Sequence, residues 1–396
     1  MTTLHLIDPS TSDDALDMLA ALPAAVAGTH HILALGHESI RTAAVQAGIP
    51  REQISFGRSL GWADPVGWRA VSQEVARLRP DCLHAWGISG LMAGTLVRHF
   101  SGPRLLTLAH TPSSGELRLM RLLAQRVPWA LAASSSSILR ATLTAGWPIS
   151  RAVRIRPGIA LGKLQGTGPR DGIRKSCGIK PADTPVLLLA GPAKRASRHD
   201  HGLWAAGILH QIYPQAKILW REPTLLEQRR ERGRGVQDFL PALPEKNMMR
   251  PVPPLTPWST LVQTADVLLV TADQPIPVGS ILWAMAAGVP VVGTALECVA
   301  ELVEHLATGL LAPARRGHQH GGPKALAAKL EELLSNENLR WHLADQARAQ
   351  IFTHYKPVDF NARYAAWYDI MQQDPTGESC EKLAAIVSRD PGDRAV

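Results

Sequence analysis

Residues 266–313 read DVLLVTADQPIPVGSILWAMAAGVPVVGTALECVAELVEHLATGLLAP. The apolar run Val267–Val270 suits a short strand buried on both faces. Pro277 fits the first turn of a helix, which the pattern places over Gly279–Ala287, and Gly288 is the kind of residue that ends one. Val289–Gly293 then re-enters the sheet. Strand, loop, helix and strand in this order is the grammar of a parallel sheet covered by helices. The small residues Ala284, Ala286 and Ala287 let the helix lie close on the sheet. The N–H groups near Gly279 and Ser280 then point toward the strand ends, where anions bind. Simple helix-on-sheet packing would produce the same spacing.

Outward from this stretch the alternation continues. In the first part, strands are expected at Leu4–Ile7, His31–Leu35, Cys82–Trp86, Arg104–His110, Trp129–Ser134 and Val153–Ile155. Helices are expected over Asp13–Val26, with Ser12 or Asp13 as N-cap, and over Pro65–Leu78, Leu91–Phe100 and Ser136–Ala145. In the second part, strands at Pro185–Ala190 and Lys217–Trp220 flank a helix over His201–Ile212, with Leu203, Trp204, Ile208 and Ile212 on one side. A charged helical segment at Leu225–Leu240 follows. Helices at Pro323–Leu334, Glu337–Ile351 and Val358–Met371 close the fold. Pro, Gly and charge cluster between Pro157 and Gly172, the natural domain break.

Composition narrows the class. The 396 residues are 45% hydrophobic and 19% charged, which excludes a mostly disordered chain. Lys and Arg total 42 against 34 Asp and Glu, a net charge of +8. A basic surface suits anionic partners without choosing among them. Cys82, Cys177, Cys298 and Cys380 are scattered singly, which argues against a disulfide framework or a zinc site and fits a reducing compartment. The opening MTTLHLIDPSTSDD lacks the basic and apolar regions of a signal peptide. No uninterrupted apolar run reaches about 18 residues. A cytoplasmic location is therefore expected, with any membrane contact peripheral.

Several segments, in order, carry a resemblance. They are Asp81–Gly87, Leu106–Thr111, Leu131–Ile159 with its Arg156-Pro157-Gly158-Ile159 hinge, Ala284–Val292, Glu301–Val303, Thr308–Leu311, Lys324–Leu334 with Asn338–Ala347, and Asp359–Met371. Together they resemble the retaining glycosyltransferases of family 4, the "glycosyl transferases group 1" type, up to about residue 371. The resemblance implies an α/β fold of two Rossmann-like, doubly wound parallel-sheet domains facing a cleft, the GT-B type. It implies an acceptor-side domain at 1–160, a nucleotide-sugar-side domain at 161–357, a closing helix at 358–371 crossing back, and a loose tail at 372–396. The activity implied is retaining transfer of a sugar from a nucleotide-sugar donor to a saccharide, lipid or small-molecule acceptor. No cofactor, metal or nucleic acid is expected to take part. The alternative is a degenerate relative that binds a nucleotide, sugar or partner without turnover.

The same resemblance assigns residues and exposes departures. The family grips the donor diphosphate with a basic loop after the first strand of its second domain, which falls here on Gly191–His199. Lys194, Arg195 and Arg198 are the expected cradle, ahead of a helix N-terminus. His110, at a strand end, matches a family histidine near the donor sugar and is the catalytic candidate. Gly279 and Ser280 are expected to bind substrate, and Glu301 survives from a Gly-Gly-x-Pro-Glu turn. The family's two glutamates fall on Pro275 and Trp283, whose side chains accept no hydrogen bond. Asp273 is the expected substitute for the first. The family's glycine-rich first loop is replaced by Asp8-Pro9-Ser10-Thr11-Ser12, leaving hydroxyls as donors.

Other features read as ordinary. Arg229–Arg234 is interleaved with Glu and lacks aromatics, so it reads as a solvated helix face rather than a nucleic-acid patch. Arg118, Arg121 and Arg126 lie on an amphipathic stretch that suits an acidic membrane or, more simply, a surface helix. His30-His31, His199-x-His201 and His318-x-His320 lack partners at a metal spacing. His84, mid-strand, is expected to be buried and hydrogen-bonded.

Overall fold

The computed structural model describes residues 1–8, 11–36, 38–57, 65–165, 170–181, 184–191, 193–223, 248–314 and 322–374. The charged segment Leu225–Leu240, the run Arg229–Arg234, the pair His318 and His320, and the expected tail beyond residue 374 lie outside the described residues. The chain divides into two compact units, Met1–Gly158 with the segment from Tyr355 onward, and Ile159–His354.

The first unit is a seven-stranded sheet. Its strands are β1 (Thr2–Ile7), β2 (Thr29–Leu35), β3 (Ile54–Gly57), β4 (Cys82–Ala85), β5 (Arg104–Leu108), β6 (Trp129–Ala133) and β7 (Ala152–Arg154), in the order β3-β2-β1-β4-β5-β6-β7. All neighbours are parallel. Every residue of β4, β5 and β6 is buried, as helices on both faces require. Alternation in β1 separates the faces: Leu4 and Leu6 pack with Val71 and Val75 of the helix Pro65–Leu78. Ile7 packs with Leu16 and Leu19 of the helix Asp13–Ala21, which Ser12 caps. The helix Pro357–Gln373 adds Phe360, Tyr364, Trp367, Tyr368 and Met371 to that same core. Gly158 permits its close approach, since a Cβ there would lie 2.8 Å from the Pro357 Cα.

That core holds three histidines. His5 and His84 are register partners on β1 and β4, and both are fully buried. The Trp86 indole N–H donates to His5 Nδ1 at 3.1 Å, so the His5 proton sits on Nε2 and donates to His30 Nδ1 at 2.9 Å. His30 Nε2 in turn donates to the Val26 carbonyl at 2.8 Å. His84 bonds the Tyr368 hydroxyl at 2.6 Å and Thr107 Oγ1 at 2.8 Å, and Thr107 continues to the Tyr364 hydroxyl at 2.9 Å. Burial drives the His5 and His84 pKa values well below the ordinary histidine value and lowers that of His30. His84 is buried as expected, whereas His30, read as an ordinary member of a pair, belongs to this chain of bonds.

The second unit is a six-stranded sheet of β8 (Val186–Leu189), β9 (Lys217–Arg221), β10 (Met249–Val252), β11 (Val267–Val270), β12 (Val291–Thr294) and β13 (Leu310–Ala312). Its order is β10-β9-β8-β11-β12-β13, again all parallel. Leu203, Ala206 and Leu209 of the helix His199–Leu209 pack with Leu326 and Leu330 of the helix Pro323–Ser335 over Leu187 and Leu189. Trp204, Ile208 and Ile212 are exposed, so only Leu203 of the expected apolar side faces the core. The helix Gly279–Ala287 has the predicted limits. Gly288 ends it at φ 70°, and the Arg348 guanidinium fills the space a Cβ would need. Any other residue there would meet both a strained backbone and that collision.

Candidate functional site

In the second unit the chain leaves β8 toward β9 and β10 and returns as β11 on the other side of β8. Loops diverge at such a switch point and leave a crevice outside the carboxyl ends of the strands, where α/β folds bind ligands. The two loops here are 191–198 after β8 and 271–278 after β11, the segments that hold Lys194, Arg195, Arg198 and Asp273.

Both loops are tied down. The Thr271 hydroxyl donates to the Ser197 carbonyl at 2.6 Å, and the Asp273 N–H donates to the Ala196 carbonyl at 3.3 Å. Arg198, at φ 45°, bonds the Asp200 carboxylate at 2.8–2.9 Å and Asp273 at 2.7 Å, and its guanidinium also reaches His201. His199 is buried and holds the Ala190 carbonyl through Nε2 at 3.0 Å. Burial lowers the His199 pKa to about 4, so it stays neutral. Hydrogen bonding to Asp200, and then to Asp273, raises the Arg198 pKa. Burial works against the Asp200 charge, but Arg198 outweighs it and the carboxyl sits below its usual value.

The structure therefore brings Arg198 and Asp273 together, with Lys194 half-buried and Arg195 exposed on the same loop. Arg198 acts as a clamp between two carboxylates, a role distinct from Lys194 and Arg195. Asp200, His199 and Thr271 complete the arrangement and were missed. The acidic Asp200 next to the basic loop was a legible signal for the clamp.

The helix Gly279–Ala287 begins beside this loop. Its N-cap residue is Val278, which offers no side-chain cap. Ser280 is 1% exposed, and its hydroxyl has no hydrogen-bond partner among the described residues. An unsatisfied buried hydroxyl costs about 1–3 kcal/mol, a deficit that a bound acceptor would relieve. Trp283 is 3% exposed within the helix, and Pro275 is exposed. Glu301 is half-buried at the C-cap of the turn Glu297–Ala300. His110 belongs to the first unit, two residues past β5, and is half-buried.

The first unit has its own switch point, between β1 and β4. There the Asp8 N–H donates to Thr11 Oγ1 at 2.9 Å, and that hydroxyl donates to the Trp86 carbonyl at 2.9 Å. Ser12 accepts from the Ala15 N–H as a helix cap. Of the hydroxyls expected as donors, Thr11 thus donates within the protein, while Ser12 is engaged as an acceptor. Pro9 and Ser10 lie outside the described residues.

Comparison with known proteins gives this geometry its setting. The structure superposes on Anabaena Alr3699/HepE, solved in complex with UDP-glucose, with a TM-score of 0.78 and 20% identity over 93% of this chain and 100% of that one. It superposes on the sucrose-phosphate synthase of Thermosynechococcus elongatus with a TM-score of 0.69 and 16% identity over 94% and 99%. The fold is GT-B. At these identities the likeness is one of fold. Residues 245–336 match the family model described as Glycosyl transferases group 1, so the resemblance read from the sequence holds for this stretch of the second GT-B unit. A stretch of 119 residues is 25% identical to the N-acetyl-alpha-D-glucosaminyl L-malate synthase of Bacillus anthracis, covering 30% of this chain and 30% of that protein. Among the described residues no helix is long and apolar enough to cross a membrane.

Proposed function

We propose that the protein transfers a sugar, with retention, from a nucleotide-sugar donor held at the β8/β11 switch point. The observation that carries this reading is the switch point in the strand order, where a basic loop and a helix start with no side-chain cap stand at the place that α/β sheets use for nucleotides. In this reading Lys194 and Arg195 meet the diphosphate, while Arg198 and Asp273 hold the loops in register. Gly279 and Ser280 offer donors at the helix start, and Glu301 contacts the donor. Catalysis comes from stabilising charge on the leaving diphosphate as the glycosidic bond breaks. His110 acts on the sugar. The acceptor is a saccharide, lipid or small molecule. A cytoplasmic setting, with peripheral membrane contact through the basic helix Ser114–Ala124, goes with this reading.

A second reading is favoured by one observation. Trp283 is buried where the family carries a ribose-binding glutamate, and an indole offers only a donor. A protein that binds nucleotide without turnover would follow. The two readings separate in one experiment: incubation of the protein with UDP-, GDP- and ADP-sugars and a panel of acceptors, with released nucleotide and glycosylated product read by mass spectrometry. Turnover of about 1 per second or faster, an ordinary enzyme rate, supports transfer. Nucleotide binding without product supports the second reading.

A further inference from the structure

The second unit has another recess, at the amino-terminal ends of its strands, opposite the switch-point loops. A cavity of about 660 Å³ opens beside Pro185, Ala265 and Pro290, the residues that lead into β8, β11 and β12. The switch-point loops leave the other ends of β8 and β11. The helix Gly279–Ala287 runs from one end of the strands to the other, and its nine residues span about 13 Å. The two places are therefore distinct. The volume lies within the range of about 300–1,000 Å³ typical of small-molecule sites.

Small and aliphatic residues make up half of the wall, and arginines and aromatic side chains most of the rest. Arg170, Arg340, Arg348, Trp341 and Tyr213 line the cavity, with Asp266 as the acidic residue. Asp266 is already held by Arg170 at 2.5 Å and Arg174 at 2.9 Å. Among the described residues the Arg340 guanidinium has one ion-pair contact, a long one of 3.7 Å to Glu337, whose carboxylate also accepts from the Trp341 indole N–H at 3.3 Å. Arg348 donates to the Ala287 carbonyl at 3.2 Å and makes no ion pair among the described residues. Trp341 is 61% exposed, unusual for an indole, and stands on the same helix, Glu337–His354, as both arginines. Two guanidiniums with spare donors suit the oxygens of a phosphate, and an exposed ring beside them suits a flat body.

We propose that this cavity binds a small organic phosphate, its phosphate group held by Arg340 and Arg348 and its flat body resting on Trp341. The site does not depend on the donor reading, since its residues lie at the other ends of the strands.

The test titrates the full-length protein with 1-naphthyl phosphate by calorimetry, with 1-naphthol and inorganic phosphate as the single-feature probes. The expected result is saturable binding of naphthyl phosphate and at least tenfold weaker binding of either single-feature probe. In the double variant Arg340→Gln, Arg348→Gln the affinity falls at least tenfold. Because Arg348 also caps a helix end, Arg340→Gln alone, at a half-buried residue, serves as the variant least able to disturb folding, and a three-fold or larger loss is expected. Trp341→Ala should weaken naphthyl phosphate but leave inorganic phosphate unchanged. Lys194→Ala, Arg195→Ala should leave naphthyl phosphate binding intact. No saturable binding, binding undiminished in both arginine variants, or binding lost only with Lys194 and Arg195 would overturn the proposal.

Discussion

The two switch points share a strand order but are built differently. In the first unit the loop after β1 is closed on itself by uncharged hydrogen bonds, through Thr11 to Asp8 and Trp86. Beneath it lies a core of neutral histidines and aromatic side chains. In the second unit the loop after β8 is held by a charged clamp, Arg198 between Asp200 and Asp273. One arrangement turns its Thr11 hydroxyl inward and buries the Asp8 carboxylate. The other gathers cations and an unpartnered hydroxyl, Ser280, at a helix start. A shared topology thus marks two places where ligands can bind, and under the proposed function the chemistry of the loops favours the second for the donor's phosphates.

The contrast breaks most severely at His84. Replacing it by Ala strips the Tyr368 and Thr107 hydroxyls of a buried partner and leaves a void, a loss of about 3–4 kcal/mol. Denaturant unfolding followed by circular dichroism measures it. Acid is the next largest perturbation. His5 and His84 have folded pKa values well below 6.5, so below pH 6.5 the unfolded chain binds more protons than the folded one. Their stabilisation is complete above pH 6.5 and is lost as pH falls toward the folded values. The thermal midpoint should therefore drop between pH 7 and 5.5, and the double variant His5→Phe, His30→Phe should reduce the dependence while leaving the His84 share.

Breaking the clamp is a smaller effect on stability and a larger one on binding. Arg198→Ala removes charge-assisted bonds worth about 1.5–3 kcal/mol and frees the two loops. Lys194→Ala, Arg195→Ala changes stability little but should abolish nucleotide-induced thermal stabilisation, which for a ligand at 100 times its dissociation constant is about 2.7 kcal/mol. Persistence of a wild-type shift in that double variant would place the diphosphate elsewhere. The smallest effect is expected from Thr11→Val, about 1 kcal/mol of stability and no change in nucleotide affinity.

How much of this was legible in the sequence follows from the range of the interactions. The strand–helix–strand stretch from Val267 was readable because its signals are local: an apolar run, Pro277, a small-residue helix, and Gly288 at its end. Strand β3 was missed because its four residues carry only two apolar side chains, Ile54 and Phe56, and its neighbour in the sheet supplies the rest of its case. The helix Ile88–Thr95 starts a turn earlier than predicted, since Gly87 at φ 145° makes the sharp entry that spacing cannot reveal. The histidine cluster gathers residues 5, 30 and 84: His84 on β4 stands opposite His5 on β1, His30 on β2 stands opposite Thr3 on β1, and only the pairing of the strands brings the three together. The clamp has one local half, Asp200, and one distant half, Asp273, which strand order alone brings close.

The central claim is that a nucleotide diphosphate sits at the second switch point and not at the first. Hydrogen–deuterium exchange of the full chain, with and without saturating UDP, GDP or ADP, tests it directly. Slowed exchange is expected in residues 191–201 and 271–282 with at least one nucleotide, and no change in residues 1–15. Protection confined to residues 1–15, or none in the segments after β8 and β11 when a nucleotide is bound, would contradict it.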